Sequence, residues 1–208
     1  MEKIFAIDGK LYNFLSKVGD LTLLNILWII CCIPVFTIGA STTALYYVLM
    51  KIEKGEDPYI FRSFFHSFKE NFLQATIVWG IIVLVSAILY FDFYFSSHVQ
   101  SGVAKLLVIP FILIAFFLLS TTCYVFPVMS FFKNSIKKTI INSFKMSIAH
   151  LPYTILIIIF ALGPWGGIFL PSQNFMLAVF IDIVIGFSLF AWLSTHIFQK
   201  LFERYIPK

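Results

Sequence analysis

Charge is scarce in this sequence. Asp, Glu, Lys and Arg make up 12% of its 208 residues, where a soluble domain carries about 25%. With 60% hydrophobic residues, too little polar surface is left to cover a water-soluble fold. Catalytic signatures are missing as well: there is no HExxH, no Gly-rich phosphate loop ahead of a helix and no G-x-S-x-G. Cysteine is limited to Cys31, Cys32 and Cys123, all in apolar stretches where a thiol behaves as a small hydrophobe. The four histidines, His66, His98, His150 and His196, are scattered over different connections and span ends. We therefore expect no enzyme, no metal and no cofactor. No cleavable signal is expected either, because the first apolar run begins about twenty residues in.

What is present is long apolar sequence. Residues 21–50, 75–97, 104–132, 151–170 and 175–198 each reach the ~20 apolar residues that a hydrocarbon core requires. The expected fold is all-α: one integral membrane domain over 1–208, polytopic, with five hydrophobic segments giving five to six membrane helices, plus amphipathic cytoplasmic helices. The basic residues cluster before the first segment, after the first and third, and at the C-terminal end, while the other two connections hold only Lys105. By the positive-inside rule this puts the C-terminus and the basic clusters in the cytoplasm, facing the anionic lipid surface of the bilayer. No basic patch interleaves with a base-stacking surface, so nucleic acid is not an expected partner.

Ile4, Ile7, Leu11, Phe14 and Val18 share one helical face, with Lys3, Lys10 and Lys17 on a separate stripe. That is the pattern of an interfacial helix over 1–20. The stretch CCIPVFTIGASTT at 31–43 then interrupts a run that as one helix would be about 45 Å long, well beyond a core of about 30 Å. Pro34 removes an amide donor, and Gly39 and the hydroxyls of Thr37, Ser41, Thr42 and Thr43 suit a helix end and a new cap. The reading is two helical pieces, to about residue 33 and over 41–52, joined by a non-helical turn around Pro34 and Gly39. If the second piece returns, both termini are cytoplasmic; the alternative is one tilted, kinked helix with an external N-terminus. In either case residues 34–43 should face protein or a cavity, since non-helical backbone is not tolerated against lipid.

Two connections resemble each other. In residues 58–72, Phe61, Phe64, Phe65, Phe68 and Phe72 share a face opposite Arg62, Ser63, Lys69 and Glu70; in the other, Ile136, Ile140, Phe144 and Ile148 lie opposite Lys137, Lys138 and Lys145. Ser-Phe-Lys occurs in both, and Ile33-Pro34-Val35 matches Phe126-Pro127-Val128. This suggests repeated units over 21–97 and 104–170, followed by a final span at 175–198. Within the spans, Asp92 and Asp182 are the candidate intramembrane acids, read either as a cation, proton or substrate site or as a structural pair (with Lys105) or boundary group. Asn25 and Gln74 read as interhelical hydrogen-bonding residues.

The run NILWIICCIPVFTIGASTTALYYVLMKI, followed by FRSFFHSFKENFLQATIVW, resembles the YesL-like family of small bacterial integral membrane proteins, a domain of unknown function. The resemblance rests most on Pro34, Thr37, Gly39, Thr43, Tyr46 and Tyr47, and on Phe65, Phe68, Lys69, Asn71 and Phe72. It implies a multi-pass protein of the bacterial plasma membrane, often encoded beside carbohydrate importers and polysaccharide-degrading enzymes, and brings no established activity. Two readings follow. In the first, the chain is an accessory subunit whose spans pack on carbohydrate importer permease subunits, and the helix carrying Phe61, Phe65, Phe68, Lys69, Asn71 and Phe72 meets a partner or the lipid surface. In the second, it is a small oligomeric transporter or channel.

Overall fold

The computed structural model describes residues 10–56, 58–98, 102–169 and 171–205, and their regular structure is entirely helical. Helix α1 (Lys10–Cys32) runs without a break through the boundary expected near residue 20. From Lys10 onward the amphipathic stretch and the first membrane piece are one helix, held by buried Leu21, Leu24 and Leu27; Lys3, Ile4 and Ile7 lie outside the described residues.

The chain then turns back on itself. Ile33 precedes a proline and is steered away from helical angles, and Pro34 is extended (φ −74°, ψ 109°). Thr37 Oγ1 donates to the carbonyl of Cys31, one of those that the end of α1 leaves without a helical partner, and to that of Pro34 in the turn. After a single 3-10 turn at Val35–Thr37, α2 (Ile38–Glu53) begins. Trp28 Nε1 donates to Thr42 Oγ1 at 3.2 Å, and Leu21, Leu24 and Leu27 share a core with Ala44, Leu45, Val48 and Leu49. These contacts make α1 and α2 a helical hairpin rather than one kinked rod. Each arm, Phe14–Cys32 and Val35–Glu53, is 19 residues of span-forming sequence, about 28 Å of helix.

Two details of the expected break need correction. Helix resumes at Ile38, so Gly39 sits inside the first turn of α2 and not in the bend. Shelter also begins later than expected: Ile33, Pro34, Val35 and Phe36 are exposed, and burial starts at Thr37.

Helix α3 (Ile60–His98) is a single 39-residue rod, about 58 Å long, which joins the expected surface helix to the following span without a joint. Helix α4 (Gly102–Phe131) returns beside it and carries Pro127 in its interior. Then α5 (Ile136–Ala149) and α6 (Leu151–Leu162) follow one another with a 108° bend, because Pro152 in the first turn of α6 has no N–H for the Ile148 carbonyl and its ring would crowd that group in a continuous helix, and His150 adopts φ −124°, ψ 45°. The repeated sequences therefore take different shapes: Pro34 makes a turn where Pro127 lies within a helix, and α3 is unbroken where α5 and α6 bend. A 3-10 segment (Gly163–Phe169) follows α6, and α7 (Ser172–Ile181), a π-helical segment (Asp182–Gly186) and α8 (Phe187–Phe202) run end to end.

Helix α5 divides its expected apolar face. Ile136 and Ile140 pack on a core shared by α2, α3 and α4, while Phe144 and Ile148 are exposed along with Ile141, and Thr139, Ser143, Met146 and Ser147 are buried. Lipid accepts apolar side chains as readily as a protein core does, so membrane helices pack through small residues and turn their apolar faces out. Helix α2 is the central element, packed on α1, α3, α4 and α8.

Candidate functional site

Both sets of candidate residues trace back to α2 and the first half of α3. Gly39 lets α2 cross α3 closely: a Cβ there would stand 2.6 Å from the Ala75 carbonyl oxygen and 2.9 Å from the Phe126 ring. Thr43 Oγ1 donates to the Gly39 carbonyl at 2.9 Å and lies 3.9 Å from Met129 Sδ on α4. Tyr46 meets Phe198 of α8 edge-on at 5.7 Å. Pro34, Thr37, Gly39, Thr43 and Tyr46 thus shape the hairpin and seat its second arm against three neighbours.

Tyr47 does something else. It lines an open groove of about 1000 Å³ between α2 and α3, together with Lys51, Tyr59, Phe61, Arg62, Phe65, His66 and Lys69. The structure therefore brings one residue of the first set to Phe61, Phe65 and Lys69 of the second. In its lining Phe61 stands on Phe65 at 4.8 Å, and the aromatic ladder continues along α3 beyond the groove, with Phe65 on Phe68 at 6.3 Å and Phe68 on Phe72 at 5.5 Å. Phe64 is fully buried behind it. Asn71 turns inward along its own helix, donating to the Ser67 carbonyl at 3.1 Å, and is not part of the groove lining. The sequence marks Arg62 only as part of the polar face of residues 58–72 and gives Lys51 and Tyr59 no role; Lys51 follows Tyr47 by one helical turn, a spacing that puts both on one face.

The electrostatics of this end are one-sided. Lys51 Nζ sits 5.1 Å over the Tyr47 ring and 3.8 Å from Glu56. Lys133 donates to Glu70 at 2.9 Å, and His66 approaches the other Glu70 oxygen at 3.6 Å. The Lys133 hydrogen bond holds the Glu70 carboxyl below the usual carboxylate range, and the same bond raises Lys133. Arg62 and Lys69 have no ion pair among the described residues, and no carboxylate lines the groove.

The intramembrane candidates separate. Asp92 is exposed on the outer surface of α3, and the side chain of Lys105 lies outside what is described. Asp182 opens the π segment, where α-type hydrogen bonding is lost. Asn25 of α1 compensates: its amide donates to the carbonyls of Asp182 at 3.0 Å and Ile183 at 2.7 Å, and its oxygen accepts the Ser188 N–H at 2.8 Å. Gln74 donates to the Asn134 carbonyl at 2.7 Å, tying α3 to the α4–α5 connection. Among the described residues no group of His, Cys, Asp or Glu has metal-binding geometry.

A second concavity opens between α3 and α4, enclosing about 570 Å³ and lined by Trp79, Ser86, Tyr90, Phe93, Ile112 and Leu119 among others. Trp79 reaches the hairpin turn by donating to the Val35 carbonyl at 2.9 Å.

With an all-helical fold and five helices long and apolar enough to cross a bilayer, this is a polytopic helical membrane protein. Residues 21–93, from mid-α1 through most of α3, match the family described as "Protein of unknown function, DUF624". The uncharacterised protein YesL of Bacillus subtilis (strain 168) is 29% identical over 167 residues, covering 78% of each chain. The uncharacterised protein YteU of the same organism is 25% identical over 153 residues, covering 71% of this chain and 68% of its own. The family match and both relatives support a YesL-like family of unknown function. No solved structure matches it.

Proposed function

We propose that this protein is an accessory subunit of the bacterial plasma membrane, linked to carbohydrate uptake, which holds a permease subunit through the cleft between α3 and α4. The cleft is the observation that carries the reading: it is apolar and presents Tyr90, Phe93 and Ile112 at the span surface. Membrane helices associate by packing into such shape-matched apolar surfaces rather than by escaping water. The carbohydrate link comes from the family resemblance. The basic end is cytoplasmic in this proposal, in keeping with the positive-inside rule, and the hairpin together with a sixth crossing through the bent α5–α6 pair then brings both termini to that side. A photo-crosslinking residue placed at Tyr90 or Ile112, in cells carrying tagged importer permease subunits, should capture a permease, whereas one at Ile26 on α1 should not. Capture that is equal from all three positions, or absent from the cleft, would defeat the proposal.

One observation favours a second reading, a small oligomeric transporter or channel. π-helical segments recur at functional sites, and this one begins with Asp182. Solute or ion flux in proteoliposomes should then fall in Asp182→Asn; flux equal to wild type would remove the acid from that model.

A further inference from the structure

The groove between α2 and α3 has the chemistry of an anion site at a membrane surface. Its cations come from two elements, Lys51 from α2 and Arg62 and Lys69 from α3, with no carboxylate among the lining residues. Glu56 lies 3.8 Å from Lys51, and Glu70 is held by Lys133 at 2.9 Å and approached by His66 at 3.6 Å, so the nearby acids are engaged by residues other than Arg62 and Lys69. Arg62 and Lys69 keep their charges without an ion pair among the described residues. Around them stand side chains that water disfavours: Tyr59 is 82% and Phe61 61% exposed. Exposed aromatic rings beside long cationic side chains are the composition of a membrane interface. Lys69 lies four residues ahead of Leu73, after which α3 carries no charge until Asp92; four residues are about 6 Å of helix. A ligand here has to suit both halves of the site, a compact anion for the cations and an apolar body for the rings.

We propose that this groove binds the phosphate of an anionic phospholipid headgroup, with Arg62 and Lys69 on the phosphate and Tyr59 and Phe61 against the glycerol and upper acyl region. Arg62 supplies the planar fork that matches phosphate oxygens, and Lys69 adds a point charge. This site is separate from the α3–α4 cleft and does not depend on what the cleft holds.

The test uses the full-length protein purified in a neutral detergent, with native mass spectrometry to count retained lipid. Wild type should retain phosphatidylglycerol in preference to phosphatidylcholine. The double variant R62Q/K69Q, which changes two exposed groups, should lose that retention by about 30-fold, counting roughly 1 kcal/mol per surface cation. The control K137Q/K138Q, with the same charge change on α5, should leave it unchanged. Equal loss in both variants would overturn the proposal by reducing it to bulk charge, and so would undiminished retention in R62Q/K69Q. Displacement of the lipid by inorganic phosphate alone would overturn it in favour of a soluble anion.

Discussion

Asn25 on α1 and Ser188 at the start of α8 are joined across the molecule by a 2.8 Å hydrogen bond from the Ser188 N–H to the Asn25 side-chain oxygen. The Asn25 amide spends both of its hydrogens on the carbonyls of Asp182 and Ile183, and Ser188 Oγ answers by donating to the Leu21 carbonyl at 2.8 Å. One fully buried side chain thus replaces the bonds that the π segment gives up. Asn25→Ala should lower stability by about 1–3 kcal/mol, the range for a stranded buried polar group, read as thermal unfolding in detergent. Asn25→Asp keeps the acceptor for Ser188 but loses both donors, and should be no better than alanine.

Gly39 and Gly80 make a matched pair for testing helix crossing. A Cβ on Gly39 meets the Ala75 carbonyl, Phe126 and Trp79, while one on Gly80 meets nothing within 4 Å. Gly39→Ala should destabilise by about 1–3 kcal/mol through overpacking. Gly80→Ala should be neutral or stabilising by up to about 1 kcal/mol. Equal melting temperatures for the two variants would rule out the close α2–α3 crossing.

The Glu70–Lys133 pair gives a pH signature. Because the folded Glu70 carboxyl is lowered, its contribution is present above the ordinary carboxylate value of about 4.3 and fades as pH falls through the lower folded value. Lys133 is raised, so its contribution is full below the ordinary lysine value of about 10.4 and fades as pH rises through the higher folded value. The stability difference between wild type and Glu70→Gln should be present between these limits and close at both extremes. Exposure of both groups keeps it small.

Topology follows from the hairpin. In a background with Cys31, Cys32 and Cys123 replaced by serine, Leu15→Cys and Glu56→Cys should react with a membrane-impermeant thiol reagent from the same side of intact cells. Phe95→Cys, near the far end of α3, should react from the other. Labelling of positions 15 and 56 from opposite sides is the outcome that a single kinked helix would give.

Pro34 and Asn25 were legible in the sequence because each breaks a local rule: a proline at the centre of an overlong apolar run, and an amide in the middle of a span. Gly39 was noticed for the wrong reason. Breaker chemistry suggested the turn, whereas the backbone needed a missing side chain for contact with a helix far along the chain. The apolar face of α5 is legible in the sequence, but its division is not: Ile136 and Ile140 pack inward, whereas Phe144 and Ile148 turn outward and Thr139 and Ser143 are buried. The π segment left no local mark, since its compensation lies on α1, more than 150 residues upstream. The groove was half visible: the phenylalanine ladder was plain, but only the α2–α3 contact brings Tyr47 and Lys51 alongside it.

An uninterrupted α3 has a mechanical consequence. Whatever pulls on Phe61 at one extremity is stiffly tethered to Phe93 at the other, with no hinge between them to dissipate the strain. Events at the two faces of the bilayer are in this way made to share a single lever.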